Sequence, residues 1–286
     1  MTRIVYVNGR YRQYRDAFVH AEDRGFQFGD AVYEVCEIYN GGLVDQARHM
    51  ERLTRSLGEL GIRPPMGPAA LRQVMRETVR RNRVVNGLLY LQVTRGVAPR
   101  DFAMPPHGTP STLICLARRG DPARFADQAQ HGIAVITVPD IRWGRCDIKT
   151  TMLLPAVLAK DTARKAGAKE AWLVDRDGFV TEGSASNAWI VTADGRLVTR
   201  GLGHQLLPGV TRRTVIDILA HEGLVLEERA FTPEEAKCAR EAFITSATNT
   251  VMPVISIDGT AIGNGAPGSI ALHLRTIFHS IASVTK

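Results

Sequence analysis

The sequence predicts an α+β fold in two domains, and three patterns predict it. Apolar and polar residues alternate on either side of Asn8-Gly9 and again before Asn40-Gly41-Gly42, the pattern of short strands joined by tight turns. Apolar residues then recur at helical spacing in two blocks: Met50, Leu53, Leu57 and Leu60, followed by Leu71, Val74, Met75 and Val79. A short polar break, Arg118-Arg119-Gly120-Asp121-Pro122, separates this half from one that mixes helices and strands again. The first domain is therefore set at residues 1–118, a linker at 119–124 and the second domain at 125–286.

Taken in order, Met1 to about Tyr39 reads as mostly β. A helix runs from about Ala47 to Leu60, where Gly61 supplies a stop, and a second spans Pro68 to Arg81. Leu88 to Thr94 and Thr112 to Ala117 are strands flanking a Pro-rich loop, Pro99 to Pro110, long enough to be functional. In the second domain Thr150 to Lys165 is expected to be helical, Ala171–Val174 and Trp189–Val191 are strands, and Val210 to His221 is a helix. Strands at Ala242–Thr245 and Val254–Ile257 and an amphipathic helix from Gly268 to Ile281 complete the chain.

Composition narrows the function. A 44% hydrophobic content over 286 residues suits an ordinary globular protein with a sizeable core. The longest apolar runs, such as Ile133–Ile136 and Leu113–Leu116, have strand length and fall far short of a bilayer span. The N-terminal residues lack the apolar core and cleavage site of a secretion signal, so cytoplasmic residence is expected. Cys36, Cys115, Cys146 and Cys238 are scattered, with no CxxC pair and no metal-ligand spacing, and read as free thiols. The net charge of +7 does not mark a nucleic-acid binder, because Arg72, Arg76, Arg80, Arg81 and Arg83 alternate with apolar residues as a solvated helix face does.

Three segments carry chemistry. Lys149 ends Arg142-Trp143-Gly144-Arg145-Cys146-Asp147-Ile148-Lys149, Glu182 lies in Thr181-Glu182-Gly183-Ser184-Ala185-Ser186-Asn187, and Leu206-Leu207-Pro208-Gly209-Val210-Thr211-Arg212 is a turn opening a helix. They offer an amine for a Schiff base, a carboxylate for a pyridinium nitrogen, and helix N–H groups for a phosphate. Pyridoxal phosphate uses all three. Each residue alone has a plainer reading: a surface lysine, a turn glutamate, a core leucine before Pro-Gly.

From Glu22-Asp23-Arg24-Gly25-Phe26 through Val32-Tyr33-Glu34 and His49-Met50-Glu51-Arg52-Leu53 to Pro253-Val254-Ile255, the chain resembles the class IV aminotransferases, the fold-type IV pyridoxal phosphate enzymes. Within them it is most similar to the D-amino acid transaminases. The resemblance implies a homodimer with the cofactor in the cleft between two domains. It makes Lys149 the covalent attachment point and proton carrier, and Glu182 the partner of the ring nitrogen. Arg52 would hold the phosphate in a bidentate grip, joined by the Val210 and Thr211 N–H groups and the Thr211 hydroxyl. Leu207 would pack on the ring, with Ser186 and Asn187 beside it. Ala247 stands where the family commonly has a phosphate-binding threonine; its N–H can serve, with Ser246 or Thr248 giving a hydroxyl. Tyr33 and Arg100 match the family's trap for the substrate carboxylate, but Phe102 replaces its histidine.

The implied reaction is ping-pong transfer of an amino group from a D-amino acid such as D-alanine to a 2-oxo acid such as 2-oxoglutarate. An (R)-selective amine transaminase and a branched-chain L-amino acid transaminase remain open on the same fold, the first favoured by Phe102 and the second disfavoured by Arg100. A cofactor-binding regulator without turnover is the alternative from another class.

Overall fold

The computed structural model describes residues 3–286 and divides into two compact units. Met1 and Thr2, at the head of the segment expected to enter the first strand, lie outside the described residues. The first unit holds the described residues up to Pro122 together with Ile148–Met152 and Ser283–Lys286; the second holds Ala123–Asp147 and Leu153–Ala282.

In the first unit β1 (Ile4–Val7) and β2 (Arg10–Gln13) form a hairpin, followed by a 3-10 turn (Tyr14–Asp16) and the five-residue helix α1 (Arg24–Phe28). That helix interrupts the stretch expected to be β throughout. The Asp23 side chain accepts the Gly25 N–H at its start, and Gly29 ends it in the left-handed conformation at φ 66°. The long strand β3 (Ala31–Tyr39) and the short β4 (Gly42–Val44) come next, then α2 (Gln46–Leu60) and α3 (Pro68–Asn82), then β5 (Gly87–Thr94) and β6 (Thr112–Arg119). The sheet runs from the C-terminal pair Val284–Thr285 through β4, β3, β5, β6 and β1 to β2, antiparallel at every step.

The alternation along β3 buries Val32, Glu34, Cys36 and Ile38, so a glutamate occupies the apolar phase of the strand. Helix α2 packs on β3 and buries His49, Arg52, Leu53, Ser56 and Leu57 at helical spacing. The buried stripe is therefore largely polar, and two of its members, His49 and Arg52, meet Glu34. Strand β4 pairs only with Ile38 and Tyr39, which leaves the first half of β3 an open edge. Residues 149–151 fill it: the Tyr33 N–H donates to Lys149 O at 3.0 Å, the Thr151 N–H donates to Ala31 O at 3.0 Å, and Thr150 bridges Val32.

That edge pairing accounts for two departures from the sequence reading. Lys149, expected in the C-terminal domain, folds with the first unit. Thr150–Leu153 is not helical; the helix starts at Leu154, with Pro155 in its first turn. The segment read as a linker at 119–124 also lies largely inside elements, since Arg119 ends β6 and Pro122 opens α4 (Pro122–His131).

The second unit continues with β7 (Ile133–Pro139), α5 (Leu154–Lys165), β8 (Glu170–Val174), β9 (Val180–Gly183), β10 (Asn187–Val191) and β11 (Leu197–Thr199). Then come α6 (Val210–Glu222), β12 (Leu226–Glu228), α7 (Pro233–Lys237), β13 (Glu241–Ser246), β14 (Thr250–Ile257), β15 (Thr260–Ala261) and α8 (Ser269–Ile281). The sheet order is β12-β11-β10-β13-β14-β7-β8-β9, with β15 on β14; parallel pairs join β11 to β12, β14 to β7 and β7 to β8. Trp172, Trp189, Phe231 and Phe243 fill this unit's interior. Helix α5 covers β7 and β8, whereas α6 and α8 pack on each other and on β13. Among the described residues no helix is long and apolar enough to cross a membrane.

Candidate active site

In the first unit the expected lysine stands beside a tyrosine, and its charge acts on the buried His49. The Lys149 Nζ lies 4.2 Å from the centroid of the Tyr33 ring and makes no hydrogen bond or ion pair among the described residues. Its backbone is fixed on both sides, by the Tyr33 N–H and by the Ser56 hydroxyl of α2, which accepts the Lys149 N–H at 3.4 Å. An amine so placed is held by its backbone while its nitrogen stays unengaged by any carboxylate, as a nucleophile requires. Tyr33 itself stacks on Tyr90 at 5.7 Å.

Arg52, expected to hold a phosphate, spends its Nε and Nη2 on the Glu34 carboxylate at 2.8 Å each. The bidentate grip expected toward the cofactor is thus made, within this unit, to Glu34. His49 completes the cluster with Nδ1 2.7 Å from Glu34 Oε2. All three side chains are buried. Burial alone would push the Glu34 carboxyl up, but Arg52 and His49 outweigh it and hold it down at about 2. Burial pushes the His49 imidazole below its ordinary range, against the pull of Glu34. His49 is therefore neutral at physiological pH, and Glu34 is an anion that fixes Arg52 in place. Neither Glu34 nor His49 was assigned a role from the sequence. A carboxylate in the apolar phase of a strand is the signal that could have found them.

Arg100 lies on the loop after β5, exposed, with its guanidinium carbon 5.3 Å from the Phe28 ring and 5.8 Å from the Phe102 ring. Of the pair expected at a substrate carboxylate, Tyr33 contacts Tyr90 and Lys149, and Arg100 contacts Phe28 and Phe102. The loop is pinned where it leaves the sheet: Gly96, at φ 99°, sits where a Cβ would collide with Pro110 O. Buried Arg24 then clasps its middle, donating to Asp101 O at 2.7 Å while Nε holds Asp30 at 2.8 Å. This loop-fixing role of Arg24 was also missed, because one buried arginine among turn residues has no distinguishing pattern.

In the second unit Glu182, on β9, is almost fully buried and is met by several donors. The Asn187 Nδ2 reaches Oε2 at 3.0 Å, the Leu207 N–H is 3.2 Å from both oxygens, and Arg142 Nη1 binds Oε1. Asn187 also donates to Leu207 O at 3.0 Å, tying the turn before α6 to the carboxylate. That helix begins at Gly209, which offers its first turn no side-chain cap. A Cβ on Gly209 would collide with Asn187 Oδ1, so a larger residue there must displace the Asn187 side chain. Val210 and Thr211 open this helix as expected, with its N–H groups and positive dipole end directed at whatever anion lies before them.

Two further expected residues have partners within the structure. The Ser186 hydroxyl donates to Glu170 at 3.3 Å, in a cluster with Ser184 and Lys160. The Ser246 hydroxyl accepts the Asn249 N–H at 3.2 Å and so braces the turn that carries Ala247.

These groups fit pyridoxal phosphate by their chemistry: an unengaged amine in one unit, and in the other a buried carboxylate met by a guanidinium and an uncapped helix start whose glycine packs against Asn187. The family model for amino-transferase class IV matches residues 31–257. The D-alanine aminotransferase of Bacillus licheniformis is 42% identical to the chain over 282 residues, 98% of each. Among solved structures, the branched-chain aminotransferase of the archaeon Thermoproteus uzoniensis with norvaline superposes with a TM-score of 0.85 at 26% identity, covering 99% of each chain. A hypothetical aminotransferase from Mycobacterium tuberculosis, solved in its PLP-bound form, shares the fold at a TM-score of 0.85 and 21% identity, over 97% of this chain and 98% of that one. Held together by a matching family model and a near-full-length relative, this chain belongs to the class IV aminotransferases.

Proposed function

We propose that the enzyme transfers the amino group of a D-amino acid of the D-alanine type to a 2-oxo acid such as 2-oxoglutarate, by a ping-pong mechanism. The near-full-length likeness to D-alanine aminotransferase carries this reading; the branched-chain likeness comes at much lower identity. The cofactor is pyridoxal 5'-phosphate, which supplies an aldehyde to receive the amino group and a ring that withdraws electrons from the substrate's Cα. Lys149 would hold the cofactor covalently through its amine and, once free, move the proton at the substrate's Cα. Glu182 would be the partner of the ring nitrogen and would help to keep it protonated. Arg52, fixed by Glu34, and the start of α6 hold the phosphate, with Leu207 against the ring and the Ala247 turn contributing its N–H. Tyr33 and Arg100 orient the substrate carboxylate.

One observation favours a second substrate class. Phe102 is 82% exposed beside Arg100 and offers an apolar ring where a hydrogen-bond donor would grip a carboxylate, which suits an (R)-configured arylalkylamine. Visible absorption of the holoenzyme separates the two on adding D-alanine, L-leucine and (R)-1-phenylethylamine in turn. Fastest conversion by D-alanine supports the reading, and faster conversion by either of the others overturns it.

We also propose a homodimer, supported by large apolar side chains left in water on the first unit, among them Phe18 at 77% and Phe26 at 75% exposed. Light scattering across a dilution series tests it, and a monomer at micromolar concentration would refute it.

A further inference from the structure

Glu182 is only the end of a chain of charges. Arg142, which binds it through Nη1, turns its other edge to Asp140, with Nε at 2.9 Å from Oδ1 and Nη2 at 2.7 Å from Oδ2. The Arg142 N–H adds a third bond to Asp140 at 3.1 Å, and Nη2 also donates to Gln205 O at 3.0 Å. Thr181, the neighbour of Glu182 on β9, donates its hydroxyl to Asp140 Oδ2 at 2.8 Å. Asp140 directly follows β7, so the relay joins the end of β7, β9 and the turn before α6. Its charged ends are nearly dry, at 11% exposure for Asp140, 13% for Arg142 and 6% for Glu182. Burial opposes all of this charge, yet Asp140 is held below the usual carboxylate range by Arg142, and Arg142 above its own by Asp140 and Glu182.

Two carboxylates share one guanidinium, so the relay carries one net negative charge. With Arg142 alone, Glu182 would be half of a neutral pair and would present little negative potential to a ring nitrogen. With neither, a buried carboxylate would be left to neutral donors and would tend to take up a proton. We propose that Asp140 and Arg142 are positioning residues that set the charge Glu182 presents: Arg142 keeps the carboxylate ionised and oriented, and Asp140 restores the negative charge that Arg142 would otherwise cancel. The inference rests on the reading of Glu182 as the ring-nitrogen partner. The other titratable or charged groups nearby include Cys146, Asp147, Arg145 and the exposed His204, whose carbonyl accepts the Cys146 N–H at 2.8 Å. Burial pushes the Cys146 thiol up to about 11, and Arg145 is paired with Asp147 at 2.9 Å.

The test compares Asp140→Asn, Arg142→Lys, Arg142→Met and Glu182→Gln in the full-length protein. It measures the cofactor's visible spectrum against pH, its dissociation constant by fluorescence quenching, kcat and KM separately, and the melting of the cofactor-free protein. Asp140→Asn is nearly isosteric and is expected to fold. It should shift the spectral titration in the same direction as Glu182→Gln, and lower kcat by roughly tenfold or more with KM little changed. Arg142→Lys should recover part of what Arg142→Met loses. Wild-type spectra and kcat in Asp140→Asn and Arg142→Met, with only melting lowered, would overturn the proposal and leave Glu182's role standing. An unchanged spectrum in Glu182→Gln would instead remove that role, and the proposal with it.

Discussion

At Phe102 a single side chain alters what the substrate loop offers. The ring lies 5.7 Å from Phe28, with Arg100 near both, so the guanidinium is flanked by aromatic faces instead of hydrogen-bond donors. Restoring a donor with Phe102→His should lower KM for D-alanine by about two- to tenfold, the net worth of one hydrogen bond, while leaving kcat near wild type. Steady-state kinetics with D-alanine and (R)-1-phenylethylamine check this; an equal change for both substrates would mean that the ring does not discriminate carboxylates. Lys149→Ala, by contrast, should cost at least about a thousandfold in turnover and remove the spectral response to D-alanine. Lys149 and Glu182 were singled out from the sequence because each is a chemically distinctive residue in a segment matching a family motif. Asp140 and Arg142 were not. Two charged residues two apart at a strand end are commonplace, and only the fold reveals that they back Glu182.

The start of α6 shows how an element, and not a residue, makes a binding group. Gly209 has φ −63°, a conformation any residue tolerates, so its reason for being glycine is contact and not backbone freedom. Gly209→Ala should push Asn187 away from Glu182 and from Leu207, lowering stability by about 1–3 kcal/mol and loosening cofactor binding together. Thermal melting with and without pyridoxal phosphate measures both, and a stable variant with unchanged affinity would show that the junction yields easily. Elements of this length were readable from periodicity: α2, α3, α6 and α8 match their expected spans to within two residues, because their apolar stripes extend over several turns. The three-residue strands β11 and β12 and the five-residue α1 and α7 escaped, since so few residues cannot establish a period and tertiary pairing decides them. The start of α5 was misplaced for a related reason: residues 149–151 are claimed by the open edge of β3, a contact between segments more than a hundred residues apart.

For the molecule as a whole, the buried Glu34–His49–Arg52 cluster ties acid stability to the first unit. Glu34 has a folded value of about 2 against an ordinary 4.5, so its contribution is fully present above about 4.5 and is lost as pH falls toward about 2. The size follows from that difference and is on the order of 3 kcal/mol. His49 acts in the same direction: its folded value is depressed, so the neutral ring is favoured, and stability declines as pH drops below the ordinary 6.5. The first unit should therefore lose stability on acidification through this cluster. Glu34→Gln should remove much of the acid dependence while lowering stability at neutral pH by about 3–5 kcal/mol, because Arg52 is left as an uncompensated buried charge. Urea unfolding across the acid range, followed by hydrogen exchange of β3 and α2, measures both effects. If the variant and the wild type lose stability in parallel from neutral pH to about 3, the acid sensitivity resides in other carboxylates, and the Glu34 cluster is a fixture for Arg52 without control over the stability of its unit.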